Sequence, residues 1–291
     1  MKNSWTGAQY SLYRVLLGLS LFVYFLHLLP WGEELFSGQG ALGLASEQHH
    51  SPYFPNPLAL WNNPLVVTLF LSSGALLSLF LVAGLKDRWA AVGLWYLWAC
   101  LLDRNPLILN PHLPYVGWIL LAHACLPTAP YGSWDARQRK DGGRSWEFPP
   151  AIYRVAWLIV SWSYSYSGYH KLFTPAWQDG TALHWILQHP LSRDNFLTHA
   201  FLSLPPSLLA GFGYFFVGLE LLYGPLALFK RLRPWLWVAM MGVLLTDLFL
   251  LDFFELTWGM ILAQSFLFDP GWIKPKNNLN HQDTKAPRKA K

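Results

Sequence analysis

Apolar stretches of about a dozen to two dozen residues recur along the whole chain, and few folds accept such a sequence. They lie at 11–29, 65–85, 89–102, 115–126, 151–173, 206–229, 235–251 and 254–268. In hydrocarbon every backbone N–H and C=O must find its partner within the protein, which favours helices for so many apolar runs. Only 13% of the 291 residues are charged, about half the share in a soluble domain. The expected fold is therefore all-α, a polytopic membrane protein with about eight transmembrane helices. The first run lacks a small-residue cleavage site and is long enough to span, so it reads as a membrane helix and not a signal peptide.

Basic residues orient the chain. With the N-terminus in the cytoplasm, sixteen of the 21 Lys and Arg fall in cytoplasmic segments and three, Arg104, Lys171 and Arg193, fall outside. That bias is what the positive-inside rule demands, and it places both termini in the cytoplasm. The net charge of +5 sits in short loops and in the 274–291 segment, so it is no nucleic-acid signal. Residues 1–273 read as one membrane domain and 274–291 as a basic, disordered tail. Segment 174–204 mixes Trp177 and Trp185 with Asp179, His184 and Arg193. It reads as amphipathic pieces at the outer interface. Cys100 and Cys125 lie in apolar runs and read as buried thiols.

The chemistry centres on Lys171, near the end of the fifth run. Ionisable groups at membrane depth are costly and usually have a partner or a task. On a helix, Val160, Tyr164, Ser167 and Lys171 share one face, and the small Ser163, Ser165 and Gly168 let a neighbouring helix come close. One reading is a desolvated lysine acting as a general base. The other is helix packing with the amine snorkelling outward. Glu220 and Asp247, in the sixth and seventh runs, also need partners, and Lys171, Arg14 and Arg104 are the candidates. Eight of the ten histidines fall on the outer side, His49 and His50 among them. A metal site is weakly signalled, since the five-residue step from His184 to His189 suits no helical pair. No phosphate loop, nucleophile elbow or C-x-x-C is present. A proton-coupled transporter using Glu220 and Asp247 is a weaker alternative, without the internal repeat such folds carry.

Tyr166-Ser167-Gly168-Tyr169-His170-Lys171-Leu172, followed by Trp177 and Gly180, resembles the corresponding stretch of the vitamin K-dependent γ-carboxylase family. It is also similar to the broader HTTM (horizontally transferred transmembrane) domain family. The opening helix with Arg14, the Leu109-Asn110-Pro111-His112 loop, Glu220 and the closing Phe268-Asp269-Pro270-Gly271-Trp272 resemble the same families in order and spacing. The resemblance implies a carboxylase-type lyase, with Lys171 as the base that deprotonates reduced vitamin K or another quinol. His112 would orient or stabilise charge beside it. Asn110, Tyr164, Ser167, Trp177 and Trp185 would line the quinol site. The carboxylases carry a soluble region after the membrane domain and a histidine where Thr246 and Asp247 stand here. The chain therefore looks more similar to short bacterial members, some of which assist peptide maturation. The resemblance then implies a bacterial inner-membrane protein, acting either as an enzyme or as a non-enzymatic factor that binds or matures a secreted peptide with partner proteins.

Overall fold

A computed structural model of the chain describes residues 5–41, 54–110 and 112–273. The segment 274–291 and the pair His49 and His50 lie outside the described residues. The described chain is all-helical, with two isolated β-bridges and no strand. Its helices are α1 (Gly7–Leu28), α2 (Gly32–Phe36), α3 (Pro57–Leu60), α4 (Pro64–Ala83), α5 (Asp87–Arg104), α6 (His112–Cys125) and α7 (Pro150–Lys171). They continue with α8 (Pro175–Gln178), α9 (Ala182–Gln188), α10 (Phe196–Leu202), α11 (Pro206–Ala227), α12 (Arg233–Leu250) and α13 (Phe254–Phe266).

Four segments are long and apolar enough to cross a membrane: Gly7–Phe36, Pro64–Ala83, Pro206–Ala227 and Arg233–Leu250. The 22-residue α7 has the length but a more polar composition, and α6 and α13 are shorter. Outward-facing Leu12, Leu65, Trp162, Phe215 and Trp235 are exposed. A surface so apolar is the mark of helices solvated by lipid and not by water.

The local sequence sets the helix ends. Thr6 and Gln9 form a capping box at α1, and Asn63 caps α4 by accepting from the Val66 N–H. Proline, whose missing N–H costs nothing in a first turn, opens α4, α7 and α11. Gly84 closes α4 in the left-handed region, φ 68°, and a Cβ there would lie 2.3 Å from an Arg14 guanidinium nitrogen.

Neighbours pack in the order α1, α4, α5, α6, α13, α12, α11, α7, with α6 and α13 also touching α7. The end of the bundle where α1 starts is called proximal here, and the opposite end distal. Two arginines hold helix ends from inside. Arg14, 1% exposed, donates to the Leu81 and Val82 carbonyls at 2.5 and 3.1 Å. Arg104 donates to Phe36 and Ser37 carbonyls at 2.9 and 3.1 Å. Offered by the sequence as a partner for a buried acid, Arg14 instead caps α4, because carbonyls at a helix C-terminus lack intrahelical donors and attract a cation. Arg14→Met should lower stability by about 2 kcal/mol, read as a lower unfolding midpoint in detergent. Arg14→Lys should restore only part, having no planar fork to serve two carbonyls.

The polar stretch before α7 is an ordered layer under the proximal end. Ser11 donates to the Tyr131 carbonyl at 2.7 Å and Trp146 to that of Pro127 at 2.7 Å. Asp141 accepts from the Ser145 hydroxyl and from the Gly143 and Ser145 N–H groups, which holds its carboxyl down to about 2. Beneath this layer, Tyr10 Oη and His123 Nδ1 share a hydrogen bond of 2.5 Å. His123 Nε2 stands 3.7 Å from Asp87. All three side chains are buried. Cys100 is buried as expected, whereas Cys125 is exposed.

Candidate functional site

The site forms where α7 and α11 run antiparallel in close contact. Gly168 makes the approach possible: a Cβ on it would sit 2.5 Å from the Leu221 backbone nitrogen. Pro225, inside α11, has no N–H to give the Leu221 carbonyl four residues back. The Ser165 hydroxyl donates to that carbonyl at 2.9 Å and accepts from the Gly224 N–H at 2.8 Å. One α7 side chain thus repairs the α11 backbone and fixes the register between the helices.

That register brings Lys171 to Glu220. In a helix the Cα–Cβ bond tilts toward the N-terminus, so in antiparallel neighbours the two side chains reach toward each other. Lys171 Nζ lies 2.5 Å from Glu220 Oε2, with side chains 20% and 4% exposed. Nζ also donates to Ser167 Oγ at 3.2 Å, one turn back. It lies 4.4 Å from the Phe216 ring centroid and 5.3 Å from that of Trp177, within cation–π range. The aromatic rings are 5.9 Å apart. Lys171 is therefore an ion-paired amine beside two adjacent aromatic rings, not a solitary base.

Its partner stands further along the neighbouring helix than the end of α7 alone suggests. Sequence reading sets Lys171 at the outer mouth of the bundle. Glu220 stands fourteen residues into α11, about 21 Å from its distal start at 1.5 Å per residue. The distal half of α11 packs instead against α8 and α9, with Gly180 beside Ala210 and Tyr214. Asp179 shapes the turn between α8 and α9. It accepts from the Thr181 hydroxyl at 2.7 Å and the Thr181 N–H at 2.9 Å, which holds its carboxyl below the usual range.

Tyr164, two turns before Lys171, is buried with its ring 5.0 Å from Tyr223. Its hydroxyl has no hydrogen-bond partner among the described residues. Asp247, half-buried on α12, lies within electrostatic reach of both Lys171 and Glu220. Tyr115 on α6 meets Ser163 and is also in reach of Glu220. Trp185 does not join them: it is 63% exposed and packs its ring against His184, because α9 turns its Ala182 and Leu187 face inward. Asn110 sits on the turn into α6, its carbonyl accepting from the Leu113 N–H at 3.2 Å. His112 opens α6, and its side chain lies outside the description. Sequence reading missed Phe216, though it stands one turn before Glu220 on the same face.

No protein-family profile, curated protein or solved structure matches the chain. Among the described residues no three His, Cys, Asp or Glu side chains come close enough to hold a metal ion. What the geometry offers is a carboxylate and an ammonium in direct contact, a spare phenol and flat aromatic walls. Such a set can accept a proton from a weakly acidic hydroxyl and stabilise the negative charge left behind.

Proposed function

We propose that this chain is an eight-span integral membrane enzyme, with both termini cytoplasmic, that takes a hydroxyl proton from a lipid-soluble quinol. Reduced vitamin K is the form implied by the resemblance to the carboxylases, and a bacterial inner membrane is the setting it implies. The observation that carries the reading is the Lys171–Glu220 contact at 2.5 Å, with the amine beside the Phe216 and Trp177 rings. In the proposed roles Glu220 Oε2 accepts the proton, and the Lys171 ammonium faces the oxygen that loses it. This revises the simpler idea of a lone lysine base, because the amine has a carboxylate partner. Trp177 and Phe216 suit a flat ring, and the Tyr164 hydroxyl is a donor not otherwise engaged.

The test is quinol turnover in membranes carrying the chain, with radiolabelled bicarbonate present to detect carboxylation. Lys171→Met and Glu220→Gln should each lower turnover by about a hundredfold or more, the scale of a lost acid–base or charge-stabilising group. Undiminished quinol turnover in both variants would refute the assignment. Retention of secreted-peptide maturation in both, with no quinol consumed by the parent protein, would favour the non-enzymatic maturation factor.

A further inference from the structure

A cavity separate from the Lys171 site lies between α1 and α13 beside α5 and α6. It is open along one side, with a volume of about 840 Å³, within the range of small-molecule sites. Leu17, Val23 and Leu262 give it an apolar body, and His27 and Asp252 stand at its distal end. Long side chains, not backbone packing, join the helices around it. Trp258 donates to Ser20 Oγ at 2.6 Å, Tyr13 donates to the Leu262 carbonyl at 3.1 Å, and the Tyr24 and Trp98 rings stand 4.7 Å apart.

We propose that this cavity seats a neutral acylglycerol, its chain along α1 and its hydroxylated head at His27 and Asp252. Three features select that class. The lining from Leu16 to His27 rises eleven steps of helix, about 16 Å, which matches one leaflet of a ~30 Å hydrocarbon core. The imidazole and the carboxylate sit at one end only, and the Ser20 hydroxyl further down the lining is already engaged with Trp258 and the Leu16 carbonyl, so only one end is left to greet the head of an amphiphile. At that end the Asp252 carboxylate pairs with Arg193 at 3.2 Å. A phosphate head would meet a carboxylate whose cation is already engaged, whereas hydroxyls can donate to Asp252 and exchange hydrogen bonds with the imidazole.

The experiment places the full chain in phosphatidylcholine nanodiscs with a monoacylglycerol or diacylglycerol bearing a diazirine on its chain, followed by irradiation and peptide mapping. Cross-links should concentrate on residues 16–27 and 253–262. Gly259→Phe fills the cavity, and Val23→Trp narrows it from an exposed position. Each should cut labelling by about fivefold or more, a change of about 1 kcal/mol in binding. Leu12→Trp, exposed on α1 away from the cavity, should not. The mono- and diacyl probes tell which of the two occupies the seat. Labelling spread evenly around the bundle, labelling unchanged in both filled variants, or equal labelling by a probe with a phosphate head would each overturn the proposal.

Discussion

Lys171→Met should destabilise the protein by about 4 kcal/mol, and Glu220→Gln by clearly less. Removing one partner of a buried ion pair strands the other charge, at a cost of roughly 3–5 kcal/mol. The stranded groups differ here. Without the lysine, Glu220 is left 4% exposed and must take up a proton or draw in water. Without the carboxylate, Lys171, which is 20% exposed, keeps its bond to Ser167 and its aromatic contacts and can turn outward. Gln at 220 also preserves an acceptor for the amine. The double variant Lys171→Met with Glu220→Leu should recover most of the loss, since apolar side chains often replace a buried pair at little cost. Unfolding midpoints of the four proteins in one detergent decide the matter. Equal losses in the two single variants would mean that the carboxylate is no less hydrated than the amine.

Gly168→Val should be at least as damaging, by about 4 kcal/mol or more, the range reserved for disrupted cores and networks. The new Cβ would lie 2.5 Å from Leu221 N, 2.8 Å from Leu221 Cα and 3.0 Å from the Glu220 carbonyl carbon. These are backbone atoms and cannot rotate away, so α7 and α11 must part. Both the Lys171–Glu220 contact and the Ser165 bridge depend on that approach. Gly218→Ala is the matched control on α11, with nothing within 4 Å of its Cβ. The readouts are the unfolding midpoint and labelling of Lys171 by an amine-reactive reagent. The first should drop and the second rise in Gly168→Val alone. A Gly168→Val protein as stable as Gly218→Ala would show that the helices tolerate separation.

The helical segments were legible because their signals are local. Apolar runs bounded by Pro64, Pro150 and Pro206 give helix starts within a residue or two. The small face of Ser165 and Gly168 also points to a close helix neighbour before its identity is known. The pairing was not legible. Lys171 ends its own helix, yet it reaches a residue well inside α11, and that offset depends on packing between segments fifty residues apart. Trp185 was misplaced for a similar reason, since the inward face of a seven-residue helix is too short to read from period alone. The Tyr10–His123–Asp87 cluster draws on three elements, so Asp87, set between Lys86 and Arg88, carries no local sign of it. The order of the layer at 128–150 leaves little trace in the sequence, because its anchors, Trp146 and Phe148, stand alone among polar neighbours.

The Ser165 bridge bears on the order in which the protein assembles. By itself in lipid, α11 would carry an unmet oxygen at Leu221, a debt of several kcal/mol where no water can settle it. The hydroxyl that meets it belongs to a helix that leaves the ribosome about fifty residues sooner. Insertion of α11 is thereby favoured once α7 is already in the bilayer, and the two should enter as a hairpin.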